Sequence, residues 1–206
     1  MSEPTVPEDL NQKANEKAAR RKEARDRMMA EKTREKGLII IHTGKGKGKS
    51  TAAFGMVMRC IGHGMKVGVV QFIKGKWETG ERTVLERFPD QIEIKALGEG
   101  FTWETQDRAR DIAFARAAWE EGKRMMSDPS FQFVLLDEIN IALRYDYLPV
   151  EEVIVFLKSK RPDLHVCITG RNAKEELIAI ADLVTEMEMI KHPFRAGVTA
   201  QAGIEF

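Results

Sequence analysis

A loop rich in glycine and lysine carries the clearest chemistry in this sequence. The β-branched run Ile39–Ile41 precedes the loop, and the helix-forming run Ala52–Phe54 follows it. Alternating glycines have no Cβ and can take φ > 0, so successive backbone N–H groups can converge on one anion. The positive end of the following helix points at the same place. The order of strand, loop and helix therefore predicts a binding site for the phosphates of a nucleoside triphosphate.

The loop residues predicted to bind the nucleotide each offer a backbone amide, an ammonium group or a hydroxyl. They are Gly44, Lys45, Gly46, Lys47, Gly48, Lys49, Ser50 and Thr51. Lys49 adds a mobile cation, and the hydroxyl of Ser50 suits Mg²⁺. The usual spacing G-x-x-x-x-G-K-[ST] would place a glycine at position 43, where this chain has threonine. We therefore expect the triphosphate to lie differently from its position in motor proteins and GTPases.

A second signal is an apolar run that ends in two carboxylates. The run Phe131–Leu136 is followed directly by Asp137 and Glu138. A protein with a phosphate loop needs a Mg²⁺ ligand opposite the loop hydroxyl, either direct or through water. The pair is predicted to be that metal site together with Ser50, although a strand-end acid can also cap the next helix.

Two further segments could lie beside a ligand. Arg171 follows the apolar run that ends at Thr169, and from there an arginine can reach a phosphate or a nucleoside. An ordinary salt bridge at a helix start explains it equally well. Phe101 and Trp103 lie on a loop flanked by glycines. Such aromatic side chains either pack into the core or form a wall for a flat apolar ligand.

The elements that must position these residues alternate between strands and helices. The predicted strands are 38–42, 67–73, 92–97, 131–136, 164–169 and 183–190, and the predicted helices after the loop helix are 105–126, 149–160 and 172–181. The pattern predicts an α/β fold in three layers, with a mostly parallel sheet covered on both faces. Ligands of such sheets bind at the carboxyl ends of the strands.

Composition is that of a soluble globular protein. The chain has 206 residues, a formal net charge of +1, 43% hydrophobic residues and 32% charged residues. Bulk charge favours neither nucleic acid nor an anionic membrane as a partner, and no apolar run is long enough to span a bilayer. The charged N-terminus does not have the pattern of a secretory signal. Cys60 and Cys167 are predicted to be reduced thiols of a cytoplasmic protein.

The first 36 residues differ from the rest of the chain. From about residue 8 onward they are rich in Lys, Arg, Glu and Ala, and their large apolar residues are Leu10, Met28 and Met29. We divide the chain into an N-terminal charged helical extension, 1–36, and a phosphate-loop domain, 37–206. The residues alone favour a solvated extension over a mobile lid.

The sequence from about residue 37 to its end resembles the ATP:corrinoid adenosyltransferases of the P-loop type. The motifs that carry the resemblance are Thr43–Gly55, Gly100–Gln106, Leu136–Glu138, Tyr145–Pro149, Thr169–Arg171, Ala181–Asp182, Lys191–His192, Ala196–Val198, Ala200–Gln201 and Gly203–Ile204. The aromatic and C-terminal motifs are far more specific than the phosphate loop. The departures are small: Lys45 stands where Asp or Asn is common, and Ser50 where Thr is common.

The resemblance implies a P-loop NTPase fold of the RecA-like type and a transfer reaction in adenosylcobalamin biosynthesis. The cobalt of a reduced Co(I) corrinoid attacks the 5′ carbon of ATP, and triphosphate leaves with Mg²⁺ or Mn²⁺ bound. The alternative is a P-loop ATPase or kinase that releases ADP.

The resemblance also implies roles for single residues. Lys49 would stabilise the leaving triphosphate, and Arg171 would contact the nucleotide. Phe101 and Trp103 would lie against the corrin and displace its lower axial ligand, which eases reduction of Co(II). The resemblance further implies an N-terminal helix folded over the site, a homodimer and a flavoprotein electron donor.

Overall fold

The computed structural model describes residues 8–73, 80–97 and 107–204. The chain divides into two compact units, Met1–Glu35 and Lys36–Phe206. The first unit contains one helix, α1 (Glu8–Ala30). Its large apolar side chains Leu10, Met28 and Met29 are all more than half exposed. Charged residues, Asn, Gln and Ala make up the rest of the helix, so its sequence offers no broad apolar stripe.

The second unit is built on a six-stranded sheet in which every pair of neighbouring strands is parallel. The strands are β1 (Ile39–Thr43), β2 (Val67–Gln71), β3 (Ile92–Ala96), β4 (Phe133–Asp137), β5 (His165–Thr169) and β6 (Leu183–Glu186). Their order is β3-β2-β4-β5-β1-β6. Strand β5 therefore lies between β1, which enters the glycine loop, and β4, which ends in the acidic pair.

Helices cover both faces of this sheet. They are α2 (Lys49–Gly62), α3 (Gly80–Leu85), α4 (Arg108–Ser127), α5 (Ile139–Arg144), α6 (Val150–Lys158) and α7 (Glu175–Ile178), with a 3₁₀ turn at Pro193–Ala196. One core joins α2 and Leu85 to one face of the sheet. The other core joins α4, α5, α6 and α7 to the opposite face. The predicted three-layer α/β fold with a parallel sheet is confirmed.

Several element boundaries differ from the prediction. Strand β6 ends at Glu186 rather than at residue 190, because the next residues run along the phosphate loop, where Met187 bonds to two loop residues. Helix α7 has only four residues, since the turn before it is fixed by a side-chain contact to β1. Helices α3 and α5 were not predicted, and at six residues each they are too short for a clear helical period.

In the described part of the chain, no helix is both long enough and apolar enough to cross a membrane.

Candidate nucleotide-binding site

The phosphate loop packs against the chain segment that leaves β6. Gly44 has φ +95°, and a Cβ added there would lie 2.5 Å from the carbonyl oxygen of Met187. A Cβ at Gly46 would lie 2.5 Å from the carbonyl oxygen of Glu188. Both contacts are too close for any side chain. Packing on the backbone therefore requires glycine at both positions.

The same packing uses hydrogen-bonding groups of the loop. The N–H of Gly46 donates to the Met187 carbonyl at 2.6 Å, and the N–H of Met187 donates to the Thr43 carbonyl at 2.9 Å. The expectation that successive loop amides can converge on an anion therefore does not extend to the Gly46 amide, which bonds within the protein. Thr43, which replaces the usual glycine, makes a structural contact: its hydroxyl accepts a hydrogen bond from the N–H of Ala173 at 3.0 Å.

Lys49 lies among charged groups from three segments of the chain. Its ammonium group donates to the carbonyl of Gly46. Burial lowers the pKa of Lys49, the cations of Arg171 and Lys47 lower it further, and the carboxylate of Glu138 opposes them. The fold therefore brings the predicted loop lysines, the predicted acid and the predicted arginine together at one edge of the sheet.

Asp137 is fully buried at the end of β4 and accepts three hydrogen bonds. Its Oδ1 accepts the hydroxyl of Ser50 at 2.8 Å and the hydroxyl of Thr169 at 2.7 Å. Its Oδ2 accepts the side-chain amide of Gln71 at 3.2 Å. The carboxylate is thus held by side chains from β2, β5 and the first turn of α2.

Glu138 follows Asp137 in a left-handed conformation, with φ 64°. Its backbone N–H donates to the hydroxyl of Thr169 at 2.8 Å. The left-handed region is uncommon for a side chain of this kind and often marks a functional position. The negative charge of Glu138 acts to raise the pKa of Lys49, against the larger effect of burial.

The remaining predicted residues are less constrained or lie elsewhere. Lys45, Lys47, Thr51 and Arg171 are exposed, and Gly48 begins α2 with φ 101°. Phe101 and Trp103 lie outside the described residues. Within the three described ranges, no group of three or more His, Cys, Asp and Glu side chains could hold a metal ion.

Comparison with known proteins decides which family this loop, acidic strand and arginine belong to. The family model for "ATP:corrinoid adenosyltransferase BtuR/CobO/CobP" matches residues 35–206. The chain belongs to this family. A corrinoid adenosyltransferase of Sinorhizobium sp. is 63% identical over 192 residues, covering 92% of this chain and 90% of the relative. Corrinoid adenosyltransferases of Pseudomonas aeruginosa and Escherichia coli K12 are 49% and 46% identical, over 96% and 95% of this chain and 98% and 99% of theirs.

The protein is therefore a transferase that moves an adenosyl group from ATP to a corrinoid in cobalamin biosynthesis. The predicted family and reaction are confirmed, and the alternative of an ATPase or kinase is not favoured.

Sequence reasoning missed several residues that build the candidate site. Gln71, Thr169 and Asn140 form buried hydrogen bonds there, and Met187 supports the loop. The ends of parallel strands meet at one edge, so a polar residue that closes an apolar strand, such as Gln71, is a usable signal. The contact of Met187 with the loop has no such signal, since it depends on β6 pairing with β1.

Proposed function

We propose that the phosphate loop and Arg171 hold ATP so that its 5′ carbon faces the cobalt of a Co(I) corrinoid. A cobalt–carbon bond forms as the bond between the 5′ carbon and its oxygen breaks, and triphosphate leaves with the electron pair of that bond. The observation that carries the proposal is the gathering of Lys49, Arg171 and Glu138 at the carboxyl edge of the sheet.

The proposed reaction needs no general acid or base from the protein. Co(I) is already a strong nucleophile, so no side chain has to remove a proton. The site must align carbon with cobalt and stabilise charge on the leaving triphosphate. We assign the second task to Lys45, Lys47 and Lys49 with the loop amides. Of these, Lys49 is the catalytic residue, because it is half-buried and its ammonium group is held within the loop.

The residues at the end of β4 suit Mg²⁺ or Mn²⁺, because they offer the oxygen donors that hard cations prefer. Ser50 and Glu138 would hold the ion. Asp137 already accepts three hydrogen bonds, so we assign it to orienting the Ser50 hydroxyl rather than to direct ligation. When bound, the cation would neutralise negative charge on the phosphates.

The corrinoid is assigned to the aromatic loop by resemblance. Phe101 and Trp103 would exclude water from the lower face of the corrin and provide no lone pair to the cobalt. We expect Trp103→Ala to slow reduction of the Co(II) corrinoid more than transfer to a chemically pre-reduced Co(I) corrinoid. Equal losses in the two assays would remove the assignment.

We also propose that the enzyme is a cytoplasmic homodimer served by a flavoprotein reductant, with the segment 1–36 as a lid. The free thiols of Cys60 and Cys167 support a reducing compartment. Exposed apolar side chains near the C-terminus support a second copy as a partner. They are Leu183, Val184, Ile190, Phe194, Val198 and Ile204.

The decisive experiment identifies the products. The adenosyltransferase is incubated with ATP, Mg²⁺ and Co(I) corrinoid, and we expect triphosphate and an adenosylated corrinoid in equal amounts. Lys49→Ala should abolish both products while the circular dichroism spectrum stays unchanged. Release of ADP without a cobalt–carbon bond would disprove the proposal.

A further inference from the structure

Asn140 is a fully buried polar residue on the first turn of α5, two positions after Glu138. Its side-chain N–H₂ group donates to the carbonyl of Gly170 at 3.1 Å. Its side-chain oxygen is buried and has no hydrogen-bond partner among the described residues. A buried acceptor without a donor is unfavourable, so a polar residue in this position calls for a physical explanation.

The partner of Asn140 is a peptide unit that is held from both sides. The N–H of Gly170 donates to the carbonyl of His42 at 3.2 Å, while its carbonyl accepts from Asn140. Gly170 has φ +127°, and a Cβ added there would lie 2.8 Å from the Cβ of Asn140. Asn140 thus fixes the glycine by a hydrogen bond and by direct packing.

The turn that begins at Gly170 carries Arg171. Before the turn, the hydroxyl of Thr169 donates to Asp137 at 2.7 Å. After it, the N–H of Ala173 donates to the hydroxyl of Thr43 at 3.0 Å. Arg171 therefore projects from a short segment with both ends fixed, and its charge acts on Lys49.

An apolar residue would serve the core equally well at this position. The neighbours Ile139, Ala142 and Leu143 on the same helix are all buried in one apolar core. Packing alone would favour an apolar side chain, which leaves no orphan oxygen. What asparagine adds is a donor aimed at the Gly170 carbonyl.

We propose that Asn140 is a positioning residue for adenosyl transfer, which holds the Gly170–Arg171 turn so that the guanidinium faces the phosphate loop. The proposal rests on the proposed function, because it takes the triphosphate of ATP to be the group that Arg171 contacts. Asn140 itself does not touch the substrate.

A double-mutant cycle tests the proposal. Asn140→Leu keeps the branch at Cγ and the number of side-chain heavy atoms, and it removes the donor. We expect kcat/KM for ATP to fall about tenfold, with KM for the corrinoid unchanged and the unfolding midpoint within about 3 °C of wild type. In an Arg171→Ala background, Asn140→Leu should lower kcat/KM less than twofold further, because the residue it positions is gone. Ile141→Leu, on the same helix, is the control and should leave kcat/KM unchanged.

Three results would overturn the proposal: an unchanged kcat/KM in Asn140→Leu, an equal loss in both backgrounds, or a normal kcat/KM in Arg171→Ala. If Asn140→Leu does not fold, Asn140→Ala replaces it, since alanine removes the donor and cannot clash. The wild-type product analysis is a separate measurement. Formation of triphosphate and adenosylated corrinoid by wild type, together with an additive cycle, would defeat the positioning proposal and leave the proposed function intact.

Discussion

The hydroxyl of Ser50 donates a 2.8 Å hydrogen bond to the carboxylate of Asp137, a residue 87 positions away in the chain. Ser50 lies on the helix that follows β1, and Asp137 ends β4. Strand β5 lies between β1 and β4 and supplies Thr169 to the same carboxylate oxygen. This bond ties the first turn of α2 to the end of β4. The phosphate loop and the acidic turn therefore form one hydrogen-bonded unit rather than two independent loops.

Asp137→Ala should destabilise the protein strongly. The substitution leaves the buried donors of Thr169 and Gln71 and the half-buried donor of Ser50 without an acceptor. Each loss at a buried donor costs about 1–3 kcal/mol. We expect the free energy of unfolding to fall by at least about 3 kcal/mol in urea titrations. Asp137→Asn should lower the free energy of unfolding by less, because Gln71 can rotate its amide and accept a hydrogen bond from the new N–H₂ group.

The control for the two Asp137 variants is Asp90→Asn, which replaces an aspartate in an exposed turn. It should change the free energy of unfolding by no more than about 0.5 kcal/mol. An Asp137→Ala variant as stable as Asp90→Asn would show that the hydrogen-bonded unit contributes nothing to stability.

Gly46→Ala should damage the loop for a steric reason. The new Cβ would approach the carbonyl oxygens of Glu188 and Met187 at 2.5 and 2.7 Å. Because both contacts are to backbone, relief requires the loop and the segment after β6 to separate. We expect a loss of about 2 kcal/mol or more in unfolding free energy and at least a tenfold rise in the dissociation constant for ATP, measured by urea titration and calorimetry.

Gly55→Ala is the matched control within α2, since nothing lies within 4 Å of a Cβ added there. Alanine is the better helix former, so this variant should gain about 0.5–1 kcal/mol. ATP binding that is weakened as much by Gly55→Ala as by Gly46→Ala would contradict the steric explanation.

Glu138→Asn should lower the adenosylation activity without lowering the free energy of unfolding. Asparagine adopts the left-handed region more readily than glutamate, so we expect unfolding free energy to stay level or to rise by up to about 1 kcal/mol. The shorter amide removes the proposed metal ligand, so adenosylation in Mg²⁺ should fall at least about 100-fold. Parallel urea titrations and product assays check both parts, and an active Glu138→Asn variant would refute the assignment of the metal ligand.

Stability should decline as the pH falls below the ordinary histidine pKa of 6.5. Burial lowers the pKa of His42, and burial with the nearby cation of Lys160 lowers the pKa of His165. Between the lowered values and 6.5, the unfolded chain binds more protons than the folded protein. The contribution of these two histidines to the free energy of unfolding is therefore complete above pH 6.5 and is lost as the pH falls.

Urea titrations from pH 8 to pH 5 measure this loss. His165→Gln keeps an acceptor for the N–H of Leu38 and should make the decline shallower. His63→Gln, the same exchange at an exposed position, is the control variant. A slope that His165→Gln does not change would exclude His165 as a source of the decline.

The sequence alone was sufficient for the features that depend on local order along the chain. The run from Ile39 to Ser50 specifies strand, glycine loop and helix because β-branched residues, glycines and helix formers act on their own backbone. The apolar run before Asp137 and Glu138 likewise placed the acidic pair at the end of a strand. Alternation of such runs sufficed for a parallel sheet with helices on both faces, and the family resemblance supplied the reaction.

Only the tertiary structure decided which distant groups meet. Strand order and register place β5 between β1 and β4. They also bring the carbonyl of Met187 to the amide of Gly46, and the side chain of Asn140 to the turn before Arg171. Strand order follows from how the two apolar faces of the sheet are buried by helices, a global balance that no local pattern encodes. The residue types at the site could therefore be predicted from the sequence, whereas their hydrogen-bond partners could not.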